Sequence, residues 1–492
     1  MRYIFICLLL LQFQLISSTS NHYRFRLYLK DKPTNWQEET DTLSFLSKKA
    51  IERRKEQEVE IDNTDLPLSP LYKQKIQEEG AQIVVESKWF NTLVVQLADS
   101  NHISKLQKFD FIDSIRFVWR GKPLIEEDEM RPRLKPNNNR IDSVANNWFG
   151  STSKQVEVHT AQSMLKAGFR GRGIDVAIID AGYTNVDVIP LFKNSYIANF
   201  KNFVPRGHLF ASSDHGTKVF STIATNEPYV MMGSAPEASY YLLRSEDEKS
   251  EFPVEEDYWV AAIEYADSIG VKLVNTSLGY NTFDDESLSY QHAHLTGSNS
   301  LISRAVDMAF DKGMLIVGSA GNEGNKLWQK TTLPGDSKKM LTVGAIAIDS
   351  TLAPFSSVGP TADGRIKPDF VSVGKQTVAL TQQGIEKPLN GTSFSSPFLT
   401  GLIGSLWSIN PKLNRHQLIE IVRESSHQFH TPDSLFGFGI PNFDIASQKV
   451  METLPPQSGD LKLDVIDITQ QEDNILCFTL TDKEFPSRTY SL

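Results

Sequence analysis

One serine has the surroundings that nucleophilic catalysis needs. Residues 390–397 read Asn-Gly-Thr-Ser-Phe-Ser-Ser-Pro, and the apolar stretch that follows Pro397 predicts a buried helix. We expect Pro397 in the first turn of that helix, where proline is tolerated. A serine at a helix N-terminus lies beside free backbone N–H groups and the positive end of the helix dipole, which together stabilise an oxyanion. Ser393 is therefore a candidate nucleophile, although an isolated Gly-Thr-Ser is more often a simple helix cap.

Three other residues could complete an acyl-transfer site. Asp180 ends an apolar run, His215 begins an amphipathic stretch, and Asn322 lies in a glycine-rich turn after another apolar run. A carboxylate can orient an imidazole that accepts the proton of a serine hydroxyl, and an asparagine amide can bind the oxyanion that forms. Taken singly, each of the three is more often a turn or surface residue.

The order of strands and helices around these residues predicts that they lie close together. Apolar runs that end near 180, 243, 276, 318 and 346 alternate with helical patterns that begin near 215, 257 and 301. Strands that alternate with helices predict an α/β fold with a doubly wound, mostly parallel sheet. Functional residues in such sheets gather at the carboxyl ends of the strands. We therefore expect Asp180, Ser277 and Asn322 at one sheet edge.

Several segments resemble a known family. Residues 176–182, 214–217 and 391–397 resemble the three signature blocks of the subtilisin-like serine proteases, in that family's order of Asp, His and Ser. Residues 319–324 resemble its oxyanion-asparagine block, 275–279 its substrate-binding strand, and 355–369 a further structural stretch. The resemblance spans about 156–444. It implies a sheet of the subtilisin type and a serine endopeptidase that works through an acyl-enzyme intermediate.

The resemblance also implies the role of each site residue. Asp180, His215 and Ser393 are the expected catalytic residues, Asn322 the oxyanion residue, and Ser277, Leu278 and Gly279 the substrate-binding segment. Tyr280 departs from the pattern, because many subtilases have a second glycine there. No step of this chemistry needs a metal or another cofactor. Subtilases often bind structural calcium, but no acidic loop in this sequence assigns its ligands.

Two other functions remain open at this point. A catalytically silent binding or scaffold protein could retain the subtilase fold, although such relatives usually lose a site residue. A lipase-type hydrolase is disfavoured because no Gly-x-Ser-x-Gly surrounds Ser393 and the order of the three residues differs. Reaction with a fluorophosphonate distinguishes an active peptidase from a silent fold, since it needs an activated serine.

The N-terminal region has the pattern of a secreted precursor. Arg2, the apolar run 4–11 and the small residues 17–20 predict a signal peptide over 1–20. Residues 21–122 predict a small α+β domain, followed by a polar linker at 123–150. Within that domain, 45–54, 65–69 and 87–91 resemble the pre-catalytic region of secreted subtilases from Bacteroidota-type bacteria. This resemblance implies an inhibitory, folding-assisting propeptide.

The remaining expectations concern the bounds of the other domains, the location of the protein and its partners. The peptidase-like domain is predicted over 151–450, with a short strand-like extension at 451–492. A net charge of −10 over 492 residues argues against nucleic acid as the main partner. No second membrane segment is evident, so we expect a secreted monomer, extracellular, at the cell surface or periplasmic. Its partners would be protein or peptide substrates and its own propeptide.

Overall fold

The computed structural model describes residues 21–32, 45–122 and 146–455, together with three strands between 464 and 491. The predicted signal peptide and most of the predicted linker, 123–145, lie outside the described residues. In the described part of the chain, no helix is long and apolar enough to cross a membrane.

The N-terminal domain is a small α+β unit, as predicted. An antiparallel sheet in the order β2-β3-β1-β4 carries three helices and has its own apolar core around Leu27, Ile76 and Leu93. In chain order the elements are β1 (His22–Leu29), α1 (Lys48–Glu56), α2 (Pro70–Glu78), β2 (Gln82–Ser87), β3 (Thr92–Leu97), α3 (Ile103–Leu106) and β4 (Ile112–Gly121). Ser47 and Ser69 cap α1 and α2 with their side chains, which explains where both helices begin.

The second domain contains the predicted parallel sheet, with seven strands in the order β13-β12-β11-β10-β5-β9-β6. Every neighbouring pair is parallel. Its first half comprises α4 (Ser153–Val158), α5 (Gln162–Lys166), β5 (Asp175–Asp180), β6 (Tyr196–Asn202), α6 (His215–Ala224), β7 (Asn226–Glu227), β8 (Met231–Met232), β9 (Ser239–Arg244) and α7 (Val254–Ser268). The second half comprises β10 (Leu273–Thr276), α8 (Leu301–Asp311), β11 (Leu315–Ser319), β12 (Leu341–Ile346), β13 (Phe370–Val373), β14 (Thr377–Leu380), β15 (Glu386–Leu389), α9 (Thr392–Trp407), α10 (Arg415–Glu424) and α11 (Phe443–Glu452).

The two edge strands of this sheet were not predicted. Most side chains of β6 are exposed, so it lacks the apolar run that marks a buried strand. The other edge strand, β13, has only four residues.

The core of the second domain begins earlier in the chain than expected, because Phe149 lies in this core although the sequence places it in the linker.

The C-terminal extension is strand-like, as predicted. Strands β16 (Asp464–Gln471), β17 (Ile475–Asp482) and β18 (Phe485–Ser491) form a three-stranded antiparallel sheet.

The N-terminal domain docks on α7 through buried ion pairs. Arg26 of β1 makes a two-point contact with Asp257, with both N–O distances at 2.6 Å and both side chains almost fully buried. Arg53 and Arg54 of α1 pair with the buried Asp267 near the end of α7. Charges removed from water in this way must be paired, because an isolated buried charge is strongly destabilising. These buried arginines of the N-terminal domain are therefore each paired with an aspartate of the second domain.

Glu264 provides a third contact on the same helix. Its carboxylate accepts hydrogen bonds from the Ser87 hydroxyl and from the backbone N–H groups of Lys88 (2.9 Å) and Trp89 (3.1 Å). Trp89 itself packs into the core of the second domain. The turn between β2 and β3 is therefore anchored by a carboxylate and by an aromatic side chain at once.

Arg26→Met should weaken this docking by about 3–5 kcal/mol, because it leaves Asp257 buried without a partner. The measurement is urea unfolding of the full chain in a Ser393→Ala background. The double variant Arg26→Met/Asp257→Leu is the matched control and should recover most of the loss, since it removes both charges. Equal destabilisation by the single and double variants would contradict the assignment of the loss to an unpaired carboxylate.

Candidate active site

The candidate nucleophile lies at the start of a helix that is buried along its whole length. All residues of α9 are buried, and Ser393 is its second residue. The helix begins at Thr392, so the expectation that Pro397 lies in the first turn is wrong. Because proline has no N–H, Pro397 cannot donate to the carbonyl four residues earlier, which is that of Ser393. This carbonyl instead accepts a hydrogen bond from the Ser277 hydroxyl at 3.1 Å.

Ser277 thus connects the helix to the predicted substrate-binding segment. Its hydroxyl also accepts from the Asn275 amide at 3.0 Å and lies 3.2 Å from the Ser396 hydroxyl. The Ser393 hydroxyl in turn donates to the Ser277 carbonyl at 3.4 Å, near the limit for a hydrogen bond. Ser277 therefore fixes the backbone of Ser393 firmly while it holds the hydroxyl only weakly.

A buried carboxylate orients the candidate base. Asp180, at the end of β5, is fully buried, and its Oδ1 lies 2.7 Å from Nδ1 of His215. The same oxygen accepts from the Ala181 N–H at 2.8 Å. His215 begins α6, as predicted, and its ring packs against Phe394, the residue after Ser393. The ring keeps 31% of its surface exposed, so a substrate can reach it.

The residue before α6 does not cap this helix with its side chain. Asp214 makes no side-chain cap and pairs instead with Lys218 at 2.7 Å. The hydroxyl of Ser213 accepts the backbone N–H of His215 at 3.1 Å. Ser213 is therefore a positioning residue that the sequence analysis did not identify.

The electrostatics at His215 favour a proton on the ring. Burial disfavours the charged imidazolium, but attraction and hydrogen bonding by the Asp180 carboxylate outweigh that effect. As a result, the pKa of His215 is raised above its ordinary value of 6.5. A raised pKa makes the imidazole a better proton acceptor, provided that the pH is high enough to keep it neutral.

Asn322 has an amide whose orientation is set by its neighbours. Its Oδ1 accepts from the backbone N–H of Thr392 at 2.9 Å and from the Thr392 hydroxyl at 3.1 Å. The Thr392 hydroxyl also accepts the Gly321 N–H at 3.1 Å. With its oxygen engaged, the amide NH₂ of Asn322 is left as a donor beside the start of α9. Thr392 was part of the motif around Ser393 but was given no role.

The three predicted strand ends do meet at one edge of the sheet. β10 lies between β5 and β11, so the residues that follow these strands are neighbours. Asp180 ends β5, Ser277 follows β10, and Asn322 follows β11. In the same segment, the Leu278 carbonyl accepts the Ser319 hydroxyl at 3.5 Å. The parallel topology therefore assembles the candidate site from distant parts of the chain.

Tyr280, the departure from the family pattern, is buried. Its hydroxyl donates to Glu246, and its backbone N–H and C=O pair with Leu333 at 2.8 and 2.9 Å. Glu246, Glu251 and Glu255 converge here, with carboxylate oxygens within 4.8 Å of one another. Burial and mutual repulsion raise the pKa of Glu246 and Glu255, and burial with the charge of Asp284 raises that of Glu251 to about 7. The hydroxyl of Tyr280 is thus engaged with this group of buried carboxyl side chains.

Comparison with known proteins identifies the family. The model of the subtilase family matches residues 171–439, which is more than half of the chain and includes every candidate site residue. The chain belongs to the subtilase family. A second family model, the propeptide domain of this peptidase class in Bacteroidota, matches residues 24–133. The protein is therefore a serine peptidase of the subtilisin type that carries an N-terminal propeptide domain.

Characterised subtilases resemble the chain at low identity. Subtilisin NAT of Bacillus subtilis subsp. natto is 26% identical over 380 residues, which covers 76% of this chain and 86% of the relative. Serine protease AprX of Bacillus subtilis is 24% identical over 320 residues, with 58% and 69% covered. The epidermin leader peptide processing serine protease of Staphylococcus aureus shares the fold, with a TM-score of 0.59 at 15% identity. That match covers 89% of this chain and all of the neighbour.

The raised pKa of His215 yields a direct prediction. In the Ser393→Ala protein, NMR titration of His215 should give a pKa above 6.5, and Asp180→Asn should bring it below that value. Without the carboxylate, burial is the largest remaining effect on this pKa, and burial favours the neutral ring. An unchanged His215 pKa in the Asp180→Asn variant would show that Asp180 does not control the protonation of the imidazole.

Proposed function

We propose that the protein is a secreted serine endopeptidase that cleaves peptide bonds through an Asp180–His215–Ser393 triad and an acyl-enzyme intermediate. The observation that carries this proposal is the 2.7 Å contact between buried Asp180 and His215, whose ring lies against Phe394, the residue that follows Ser393 at the start of a buried helix. A buried carboxylate on one imidazole nitrogen leaves the other nitrogen free to accept a proton. This arrangement is what activation of a serine hydroxyl needs.

Each residue has a distinct role in the reaction. Ser393 Oγ attacks the peptide carbonyl while His215 Nε2 accepts its proton and later gives it to the leaving amine. Asp180 holds the imidazole tautomer and stabilises the imidazolium. The Asn322 amide and the Ser393 N–H donate to the oxyanion, and water then hydrolyses the ester by the reverse of the same proton transfers. No metal or other cofactor takes part in these steps.

The substrate is proposed to bind as an added strand. An extended peptide would pair with backbone groups of Ser277, Leu278 and Gly279, which follow the central strand β10. Because Ser277 also holds the start of α9, the substrate would be aligned on the same segment that positions Ser393. This coupling supports the assignment of the segment to substrate binding.

The N-terminal domain is proposed to act as an intramolecular inhibitor until its linker is cut. Its last strand, β4, directs the chain towards the substrate-binding side: Arg120 pairs with Asp285 at 3.6 Å, and Trp119 donates to Ser250 at 3.4 Å. Asp285 lies on the loop that follows the segment Ser277–Gly279, and Ser250 lies two residues after Glu248, which accepts a hydrogen bond from Ser213 beside His215. An extended chain spans about 3.3–3.6 Å per residue, so the 23 residues from 123 to 145 could extend over a distance on the order of 75 Å.

The activity is tested by labelling with a fluorophosphonate and by peptide hydrolysis. The wild-type protein should react at Ser393 and cleave peptides, whereas Ser393→Ala should do neither while it retains the same fold. Ser396→Ala is a matched control, because Ser396 lies one turn further along α9 and is given no chemical role. A folded Ser393→Ala protein with wild-type activity would overturn the proposal, and an unlabelled wild type would favour the catalytically silent scaffold.

Autoprocessing is tested by mass spectrometry of the N-termini. The wild type should begin in or shortly after the linker 123–150, because its own Ser393 cuts there. The Ser393→Ala variant should keep the sequence from Tyr23 onward. A fully active wild type that retains the N-terminal domain would show that this domain is a permanent part of the enzyme.

A further inference from the structure

Glu264 differs from the other two carboxylates of α7 that the N-terminal domain covers. Asp257 and Asp267 are each paired with arginines of that domain. Glu264 lies between them in the sequence and is only 6% exposed. Among the residues that the structure describes, no lysine or arginine forms an ion pair with its carboxylate. The charge of an ionised Glu264 is therefore buried in the full chain without an ion-pair partner.

Neutral donors alone bind this carboxylate in the described part of the chain. They are the Ser87 hydroxyl at the end of β2 and the backbone N–H groups of Lys88 and Trp89 in the turn that follows. Such hydrogen bonds replace part of the water that a free carboxylate binds, but they carry no positive charge. A buried carboxylate without a cation tends to take up a proton. Burial accordingly raises the pKa of Glu264 to about 7, although the three hydrogen bonds and the charge of Lys88 act in the opposite direction.

Other charged groups near Glu264 are exposed or engaged with other partners. The ammonium group of Lys32 is close enough to interact with the charge of Glu264, but it donates to four backbone carbonyls, those of residues 63, 64, 66 and 88. Glu86 is exposed and pairs with Lys73 at 3.0 Å. Lys201 is exposed as well. These groups therefore do not replace the missing cation.

Glu264 also lines a cleft at the junction of the two domains. The cleft has a volume of about 390 Å³ and includes side chains of both domains, among them Phe45, Lys88 and Tyr265. A space of this size admits water, so protons can reach the carboxylate while the domains are docked. The protonation of Glu264 can therefore follow the pH of the surroundings.

We propose that Glu264 makes the affinity of the peptidase for the N-terminal domain fall as the pH rises, so that the domain separates at neutral to alkaline pH once the linker is cut. The inference rests on the proposed inhibitory role of this domain and adds a condition for the loss of inhibition. In the docked state a protonated Glu264 is neutral, whereas an ionised one is buried without a cation. In the separated peptidase the same side chain faces water and ionises freely. A rise in pH therefore stabilises the separated state relative to the docked state.

The range of pH follows from the pKa of Glu264 in the two states. In water the ordinary pKa of a glutamate is 4.5, and in the docked state that of Glu264 is about 7. Below the lower value the group is neutral in both states, so it does not oppose docking. Between the two values docking requires uptake of a proton, so the affinity falls as the pH rises and is lowest above the upper value. His215 responds in the same direction, because its pKa lies above 6.5 and only the neutral ring can accept a proton.

The test uses the full chain with Ser393→Ala, which prevents self-cleavage, and with a recognition sequence for an unrelated protease placed within residues 123–145. After that protease has cut the linker, the dissociation constant of the two fragments is measured by dilution and size-exclusion chromatography. Between about pH 5 and about pH 8 it should rise on the order of tenfold or more. Dilution calorimetry near pH 6, in buffers of different ionisation enthalpy, should show the release of about one proton per separated complex.

Two matched variants assign the effect to this carboxylate. Glu264→Gln keeps an acceptor for the N–H groups but cannot ionise, so it should lose most of the pH dependence and most of the proton release. Glu86→Gln removes an exposed carboxylate from the same cleft and should keep the pH dependence of the parent chain. The proton count in the parent chain keeps the test decisive if Glu264→Gln folds poorly.

Three outcomes would overturn the inference: tighter binding at the higher pH, no proton release by the parent chain, or an undiminished pH dependence in Glu264→Gln. Because the test chain lacks Ser393, these outcomes do not depend on peptidase activity. A wild type without Ser393-dependent cleavage would overturn the peptidase function instead. A wild type that is fully active with the N-terminal domain bound would overturn the inhibitory role on which the inference rests.

Discussion

The complete burial of α9 is the constraint on which the candidate site depends. The first residues of this helix are polar, and burial obliges each hydroxyl and backbone group to find a partner. The backbone N–H of Thr392 donates to the side-chain oxygen of Asn322. The Ser393 carbonyl, which has no donor at Pro397, accepts a hydrogen bond from the Ser277 hydroxyl. The bonds that satisfy the helix start are thus the same bonds that align the candidate nucleophile, the proposed oxyanion donor and the proposed substrate-binding segment.

The parallel sheet supplies the other half of this arrangement. Its central strands end together, so Asp180 and the segments after β10 and β11 converge although they are up to 142 residues apart in sequence. Asp180 is fully buried, and a charge at such a position is costly unless it is compensated. Its hydrogen bonds to Ala181 and His215 provide part of that compensation, which keeps the imidazole in place.

Much of this organisation could be predicted from the sequence, and the exceptions have physical reasons. The apolar runs that end at Asp180 and before Asn322 predicted both strands and the edge where they meet, because buried parallel strands carry a clear pattern. Strand β6 could not be predicted, since an exposed edge strand has no such pattern. The prediction for Pro397 was wrong because the helix can contain this proline only if the Ser393 carbonyl has another donor. That donor is Ser277, which lies 116 residues away in the sequence.

The carboxylates of α7 would have a consequence for the peptidase if the N-terminal domain is released, as proposed. Asp257, Glu264 and Asp267 are spaced by seven and three residues, which puts them on one face of the helix. In the full chain they are covered by arginines and backbone N–H groups; in the separated peptidase they would form an acidic stripe in water. Hydration of these charges offsets part of the lost contacts, which makes separation easier than at an apolar interface of equal size. The stripe would also attract the arginine-bearing face of a free N-terminal domain over about a Debye length, so recapture should be fast at low ionic strength and slow at high ionic strength.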